Sequence, residues 1–245
     1  MTSLRNRRVL ITGGAIRVGS FIARAFLEEG AILTIHCRNS RAEAEKLLNE
    51  FGGETAGHSV FQGDLTSCGI ASQLIDFAKP EVLINNAATY IRKPFDLETS
   101  GDIQVALDVN FYAPLALMKA FAAQTFPENA DPVVINLVDQ AVAGYAPDAF
   151  GYLLSKKALA DATRTAALAY APRIRVNAIA PGPVLAPEHL KHLNMQSTLK
   201  RVPLGRSVPP ADIAMSAVYL AGCRSVTGEI LFVDGGQHIN ETHHP

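Results

Sequence analysis

A chain of 245 residues, 48% hydrophobic and 18% charged, is long enough for one large domain and too apolar for a disordered one. Its 22 Lys+Arg against 23 Asp+Glu leave a formal net charge of −1, which argues against nucleic acid and anionic membranes as partners. No apolar run reaches the ~18 residues of a bilayer span, no signal-type stretch precedes Thr12, and Cys37, Cys68 and Cys223 suit neither a disulfide framework nor a zinc site, so a reduced, cytosolic chain without a metal is expected.

In chain order, residues 8–12 form a short apolar run ending in Gly13-Gly14, and residues 18–29 read as a helix stopped by Gly30. Residues 31–36 are a second run, and residues 41–51 a charged helix closed by Gly52-Gly53. Further runs lie at 58–62, 81–84, 131–138, 174–179 and 229–233. Such β-branched, nearly continuous apolar runs mark strands buried on both faces. Their alternation with helical patterns implies a doubly wound α/β architecture. No repeat or long linker divides the chain, so residues 1–245 are read as a single domain. In such a sheet, ligands bind beyond the carboxyl ends of the strands.

The first run leads into Thr12-Gly13-Gly14-Ala15-Ile16-Arg17-Val18-Gly19. Glycines at a strand-to-helix turn let the backbone approach a pyrophosphate, and the helix start offers free N–H groups. Arg17 stands where such a fingerprint often has its second glycine. After the second run come His36-Cys37-Arg38-Asn39-Ser40-Arg41, with no acid between Ala31 and Ala42. An acid there would accept from a ribose 2′-hydroxyl and repel a 2′-phosphate, whereas arginine with amide and hydroxyl donors would bind that phosphate. NADP(H) is therefore expected over NAD(H).

Tyr152 and Lys156 lie four residues apart, on one face of a helix. A phenol near an ammonium ionises more easily and can exchange a proton near neutral pH. Thr12-Gly13 with Gly19, Asp64, Asn86-Ala87, Asn110, Tyr152-x-x-x-Lys156 and Pro181-Gly182 follow one another at regular spacing. From about residue 8 to residue 236, the chain resembles the short-chain dehydrogenase/reductase family. The resemblance implies a Rossmann-type three-layer fold with a seven-stranded parallel sheet, a nicotinamide cofactor and a homotetramer. It implies Tyr152 as proton donor and Lys156 as the group that lowers the phenol pKa and holds the nicotinamide ribose. Asn110 would anchor a relay water and Asp64 would meet the adenine. Gly13, Ile16, Gly19, Leu65, Asn86, Ala87, Pro181 and Gly182 would line the cofactor.

One departure narrows the chemistry. The family usually places a serine thirteen residues before the tyrosine; here that residue is Asp139. A carboxylate accepts hydrogen bonds but cannot donate them, so it would repel the oxyanion of a reduced ketone. It suits a substrate offering N–H donors or a ring nitrogen needing a proton. Asp139 together with Arg17 resembles the pteridine reductase branch, which includes dihydromonapterin reductases. Residues 36–40 are similar to the 2′-phosphate loop of that branch. Tyr90 matches its aromatic position against the pterin. The expected reaction is NADPH-dependent reduction of a 7,8-dihydropterin, with Arg17, Tyr90, Asp139 and Tyr152 around the substrate and residues 184–208 covering it. A ketone or acyl-carrier ketone reductase and a non-catalytic NADP-binding protein are the alternatives. Tyr145 is an aromatic without an assignment. His189 and His192 lack a third ligand for a metal, and His238, His243 and His244 read as a solvated tail.

Overall fold

The computed structural model describes residues 2–185 and 199–241. Its strands are β1 (Arg8–Thr12), β2 (Ile32–Cys37), β3 (Ser59–Gln62), β4 (Val82–Asn85), β5 (Val133–Leu137), β6 (Arg175–Pro181) and β7 (Ile230–Val233). They form one sheet in the order β3-β2-β1-β4-β5-β6-β7. Every pairing is parallel. The seven apolar runs of the sequence thus become the seven strands of a Rossmann-type sandwich.

Alternate residues of each strand serve opposite layers, because side chains on a strand have a period of two. Val9 and Ile11 of β1, Val82 and Ile84 of β4, and Val133 and Ile135 of β5 face one core. That core is covered by Ile22, Phe26 and Leu27 of α1 (Arg17–Glu28), Ala44 and Leu47 of α2 (Arg41–Asn49), and Ile213, Ala217 and Leu220 of α7 (Pro210–Gly222). Leu10, Leu83 and Val134 face the other core, against Leu74 of α3 (Ile70–Ala78), Leu117 and Phe121 of α5 (Ala113–Ala123), and Leu159 of α6 (Phe150–Tyr170). Full burial of each of these Val, Leu, Ile and Phe side chains contributes roughly 1.5–3 kcal/mol.

Helix α4 (Ser100–Leu107) runs without a break through a π-turn at Asp108–Tyr112 into α5. Thr99 and Asp102 cap its start reciprocally. Residues 100–123 are long and apolar enough to span a bilayer. They instead pack against α3 and α6 as part of the second core layer.

At the amino ends of the strands, Arg175 donates to both oxygens of Asp131, at 3.0–3.1 Å, and to the carbonyls of Leu220, Ala221 and Val226. Arg7 donates to the Asp131 carbonyl at 2.6 Å and pairs with Glu81. This buried network fastens the base of the sheet. The opposite, carboxyl ends are left for chemistry. Strand order reverses between β1 and β4, which opens the crevice where doubly wound sheets bind ligands.

Candidate active site

The β1–α1 turn is built to let another backbone come close. Gly13 sits at φ +62, and a Cβ there would lie 3.1 Å from the Cα of Ala87. A Cβ on Gly19 would meet the Gly13 carbonyl oxygen at 2.2 Å. Thr12 and Asn86 lock the turn to the end of β4. The Asn86 amide donates to the carbonyls of Thr12 and Gly13, both at 2.9 Å, while the backbone N–H groups of Asn86 and Ala87 donate to the Thr12 hydroxyl. The side chain of Asn86 therefore shapes the cradle. Thr12 does this work too, a role that its place in the motif did not reveal.

Helix α1 starts at this turn with no side-chain cap at Ile16 and no acid in its first turn. Its first N–H groups and dipole are thus available to an anion. Arg17 adopts φ +54, a left-handed conformation that favours glycine. The position expected to hold the fingerprint glycine keeps the glycine backbone while adding a cation. Its guanidinium donates to the Leu185 carbonyl at 3.2 Å, across the mouth of the crevice.

At the end of β2, Arg38 and Asn39 are exposed and Ser40 is partly so. The Ser40 hydroxyl is not used as a cap of α2. His36 behaves differently from its neighbours. Its ring is buried, and its Nε2–H donates to the Gly63 carbonyl at 3.0 Å. Burial lowers its pKa, so the imidazole is neutral and adds no positive charge to the loop. Its Nδ1 has no hydrogen-bond partner among the described residues. Asp64 is half-buried and accepts from the backbone and hydroxyl of Thr66 at 2.9 and 2.7 Å, which holds its carboxyl below the usual range. Leu65 follows it, partly buried against the second core.

The catalytic candidates converge between β5 and α6. Asp139 caps the 3-10 turn Gln140–Ala143, accepting from the Ala141 N–H at 2.9 Å. Its other oxygen accepts from the Tyr152 hydroxyl at 2.8 Å. Lys156 is buried and donates to the Leu137 carbonyl at 2.7 Å, with its nitrogen 5.9 Å from the centre of the Tyr152 ring. Burial brings its pKa down to about 8, against the opposing pull of Asp139. Burial first, and then the Asp139 carboxylate, push the Tyr152 phenol well above its ordinary value. This corrects the expectation that Lys156 eases the phenol down: here the nearest charge to the hydroxyl is negative. The phenol is held protonated, as a donor.

Tyr90 packs edge-on against Tyr152, with ring centres 4.7 Å apart. Its loop is fixed by Asn110, which the π-turn aims inward. The Asn110 amide accepts from the Thr89 N–H at 2.8 Å, donates to the Thr89 carbonyl at 2.9 Å and donates to Ser155 at 3.1 Å. Ser155 in turn donates to the Tyr152 carbonyl at 2.6 Å. The Asn110 side chain is thus committed to holding Tyr90 and Tyr152 together. Glu98 accepts from the Gly151 N–H at 3.0 Å and so caps α6 from the Tyr90 loop, a link no local pattern announced.

Pro181 and Gly182 end β6, and a Cβ on Gly182 would lie 2.6 Å from the Cα of Asp234. Asp234 is buried and accepts from the backbone and ring of His238, each at 2.7 Å. His238 also stacks on Phe232 at 4.1 Å. It is therefore a packed residue of α8 (Gln237–Glu241), not part of a solvated tail. His189, His192, His243 and His244 lie outside the described residues, as does most of the expected cover at 184–208. Tyr145 is exposed, with the Lys157 ammonium 4.5 Å from its ring centre.

Residues 14–238 match the family model described as Enoyl-(Acyl carrier protein) reductase. The crystal structure of FolM Alternative dihydrofolate reductase 1 from Brucella canis, complexed with NADP, superposes with a TM-score of 0.86 at 35% identity, covering 97% of this chain and 96% of that one. The 3beta-hydroxysteroid dehydrogenase 1 of Eggerthella lenta is 30% identical over 95% of this chain and 94% of its own. Pteridine reductase 1 of Leishmania tarentolae is 27% identical over 93% of this chain and 94% of its own. The chain belongs to the short-chain dehydrogenase/reductase family of oxidoreductases, and its likeness to the last-named reductase and to FolM supports a place in the pteridine reductase branch.

Proposed function

We propose that the protein is an NADPH-dependent pteridine reductase that converts 7,8-dihydropterins to their tetrahydro forms, with dihydrobiopterin, dihydromonapterin and dihydrofolate as the candidate substrates. The cofactor is NADP(H). The residues fit it: an uncapped helix start and Arg17 for the pyrophosphate, and Arg38, Asn39 and Ser40 in an acid-free loop for the 2′-phosphate. When bound, it supplies the hydride that the carbon of a C=N bond receives.

The observation that carries the reading is the Asp139 carboxylate 2.8 Å from the Tyr152 hydroxyl. Its charge opposes an oxyanion at that point and welcomes the N–H groups of a pterin ring. The phenol and the carboxylate share one proton position, from which a ring nitrogen can be protonated directly or through water. Tyr90 offers a ring face for stacking, worth about 0.5–1.5 kcal/mol. Arg17 reaches the substrate side, Lys156 would hold the nicotinamide ribose, and Asn110, through Ser155, holds the tyrosine in place. The enzyme works as a cytoplasmic homotetramer.

The test is NADPH oxidation by the purified protein with dihydrobiopterin, dihydromonapterin, dihydrofolate and a panel of ketones side by side. Turnover of pterins with little on ketones is expected. Turnover of ketones alone would refute the proposal.

A further inference from the structure

Two loops rise from the carboxyl ends of neighbouring strands β4 and β5 and flank the Tyr90–Tyr152 pair. The first carries Tyr90 and, two residues on, Arg92; the second carries Asp148, two residues before α6 begins. The Arg92 guanidinium reaches across to Asp148, with Nε 2.6 Å and Nη2 2.5 Å from the same carboxylate oxygen. Both side chains are about two-fifths exposed, so the pair stands at the rim of the site. Arg92 stands two residues beyond Tyr90 in the same loop, so the pair lies beside the ring assigned to the substrate. Two further lysines of the described residues near these loops are engaged as well. Lys93 pairs with Asp102 at 2.7 Å, and Lys157 lies over the Tyr145 ring.

This arrangement bears on the part of a substrate that extends beyond the ring. A neutral polyol side chain feels little of a charged rim. A tail ending in carboxylates, as in a folate, gains from a free guanidinium, which binds carboxylates through paired N–H donors. Asp148 neutralises the charge of Arg92 and occupies its Nε–Nη2 edge. We propose that Asp148 is a specificity-determining residue, which neutralises Arg92 at the mouth of the site and so favours pterins with neutral side chains over folates. The inference rests on the pterin reading above.

The experiment measures kcat/KM for dihydrofolate and for dihydrobiopterin and takes their ratio, in the unmodified enzyme, Asp148→Asn, Arg92→Ala and the double variant. A freed but partly exposed guanidinium is worth about 1 kcal/mol, so Asp148→Asn should raise the ratio about fivefold in favour of dihydrofolate. The gain should disappear in the double variant and shrink as salt is added. A merely structural clasp would alter both substrates alike. An unchanged ratio in Asp148→Asn, or a gain that survives without Arg92, overturns this proposal and leaves the pterin reading standing. No turnover of any pterin by the unmodified enzyme overturns that reading, and this proposal with it.

Discussion

Asp139→Asn separates the charge at the catalytic site from its shape. The amide has nearly the volume of the carboxylate, and its oxygen can still accept from the Ala141 N–H, now at 2.9 Å, so the turn at Gln140–Ala143 keeps its cap. The change falls on the other oxygen, 2.8 Å from the Tyr152 hydroxyl. An amide nitrogen there donates where the carboxylate accepted, so the phenol must turn its proton elsewhere. The charge and the hydrogen bond that help hold the phenol protonated are both lost, and its pKa falls while burial still keeps it raised. A positioned acid–base group contributes about 10²–10⁴-fold, or roughly 3–5 kcal/mol of barrier. Dihydropterin turnover should drop by that order, with the KM for NADPH little changed. Single-turnover NADPH oxidation reads the chemical step, and ultraviolet titration against a Tyr152→Phe control reads the phenol. Turnover within about threefold of the unmodified enzyme, an order short of the expected loss, would refute the role given to the carboxylate.

Three further outcomes follow from other parts of the molecule. Arg38→Ala should raise the KM for NADPH about 10–100-fold through loss of a charge-assisted contact, with little effect on NADH; equal effects on both cofactors would remove Arg38 from the 2′-phosphate site. Arg175→Ala removes both charged hydrogen bonds to the partly buried Asp131 carboxylate and should cost about 3 kcal/mol, lowering Tm by about 10 °C in a thermal melt, and an unshifted Tm would contradict the account of the sheet base. Lys156 titrates near 8 when folded against 10.5 ordinarily, so between those values the unfolded chain binds more protons and folded stability rises with pH. The Tm of the cofactor-free protein, referred to Lys156→Met, should climb across that window, and a flat or falling difference would contradict the assignment.

The fold was legible because its determinants are local. Runs such as Val9-Leu10-Ile11 and Val133-Val134-Ile135 are apolar on both faces, and only a sheet covered on both sides accommodates that. The glycine turn was legible for the same reason, and Arg17 tests the point. The fingerprint called for a glycine there, and the chain adopts the backbone of one, at φ +54, with an arginine in its place. What could not be read joins residues far apart in sequence. Glu98 caps α6 from 53 positions away, and Asn110 grips Thr89 across 21. Asp234 and His238 are only four apart, yet their pairing depends on a helical turn and on stacking over Phe232.

The Tyr152 phenol shows why a motif fixes partners but not the balance among them. Tyr-x-x-x-Lys places an ammonium near the ring and suggests a lowered pKa. In the folded protein the ammonium lies 5.9 Å from the ring centre and bonds to the Leu137 carbonyl, while the carboxylate touches the hydroxyl itself. Burial gives the largest push on the phenol, and the carboxylate at its hydroxyl adds to it. Replacing the family's serine by Asp139 therefore does more than alter one contact. Its charge and its hydrogen bond add to burial in keeping the proton on the resting tyrosine. A substrate whose N–H groups engage Asp139 would draw the carboxylate away from the phenol, leaving Lys156 as the nearer influence. If the proposed pterin reading holds, that exchange would tie proton release to the arrival of a nitrogen-rich ring.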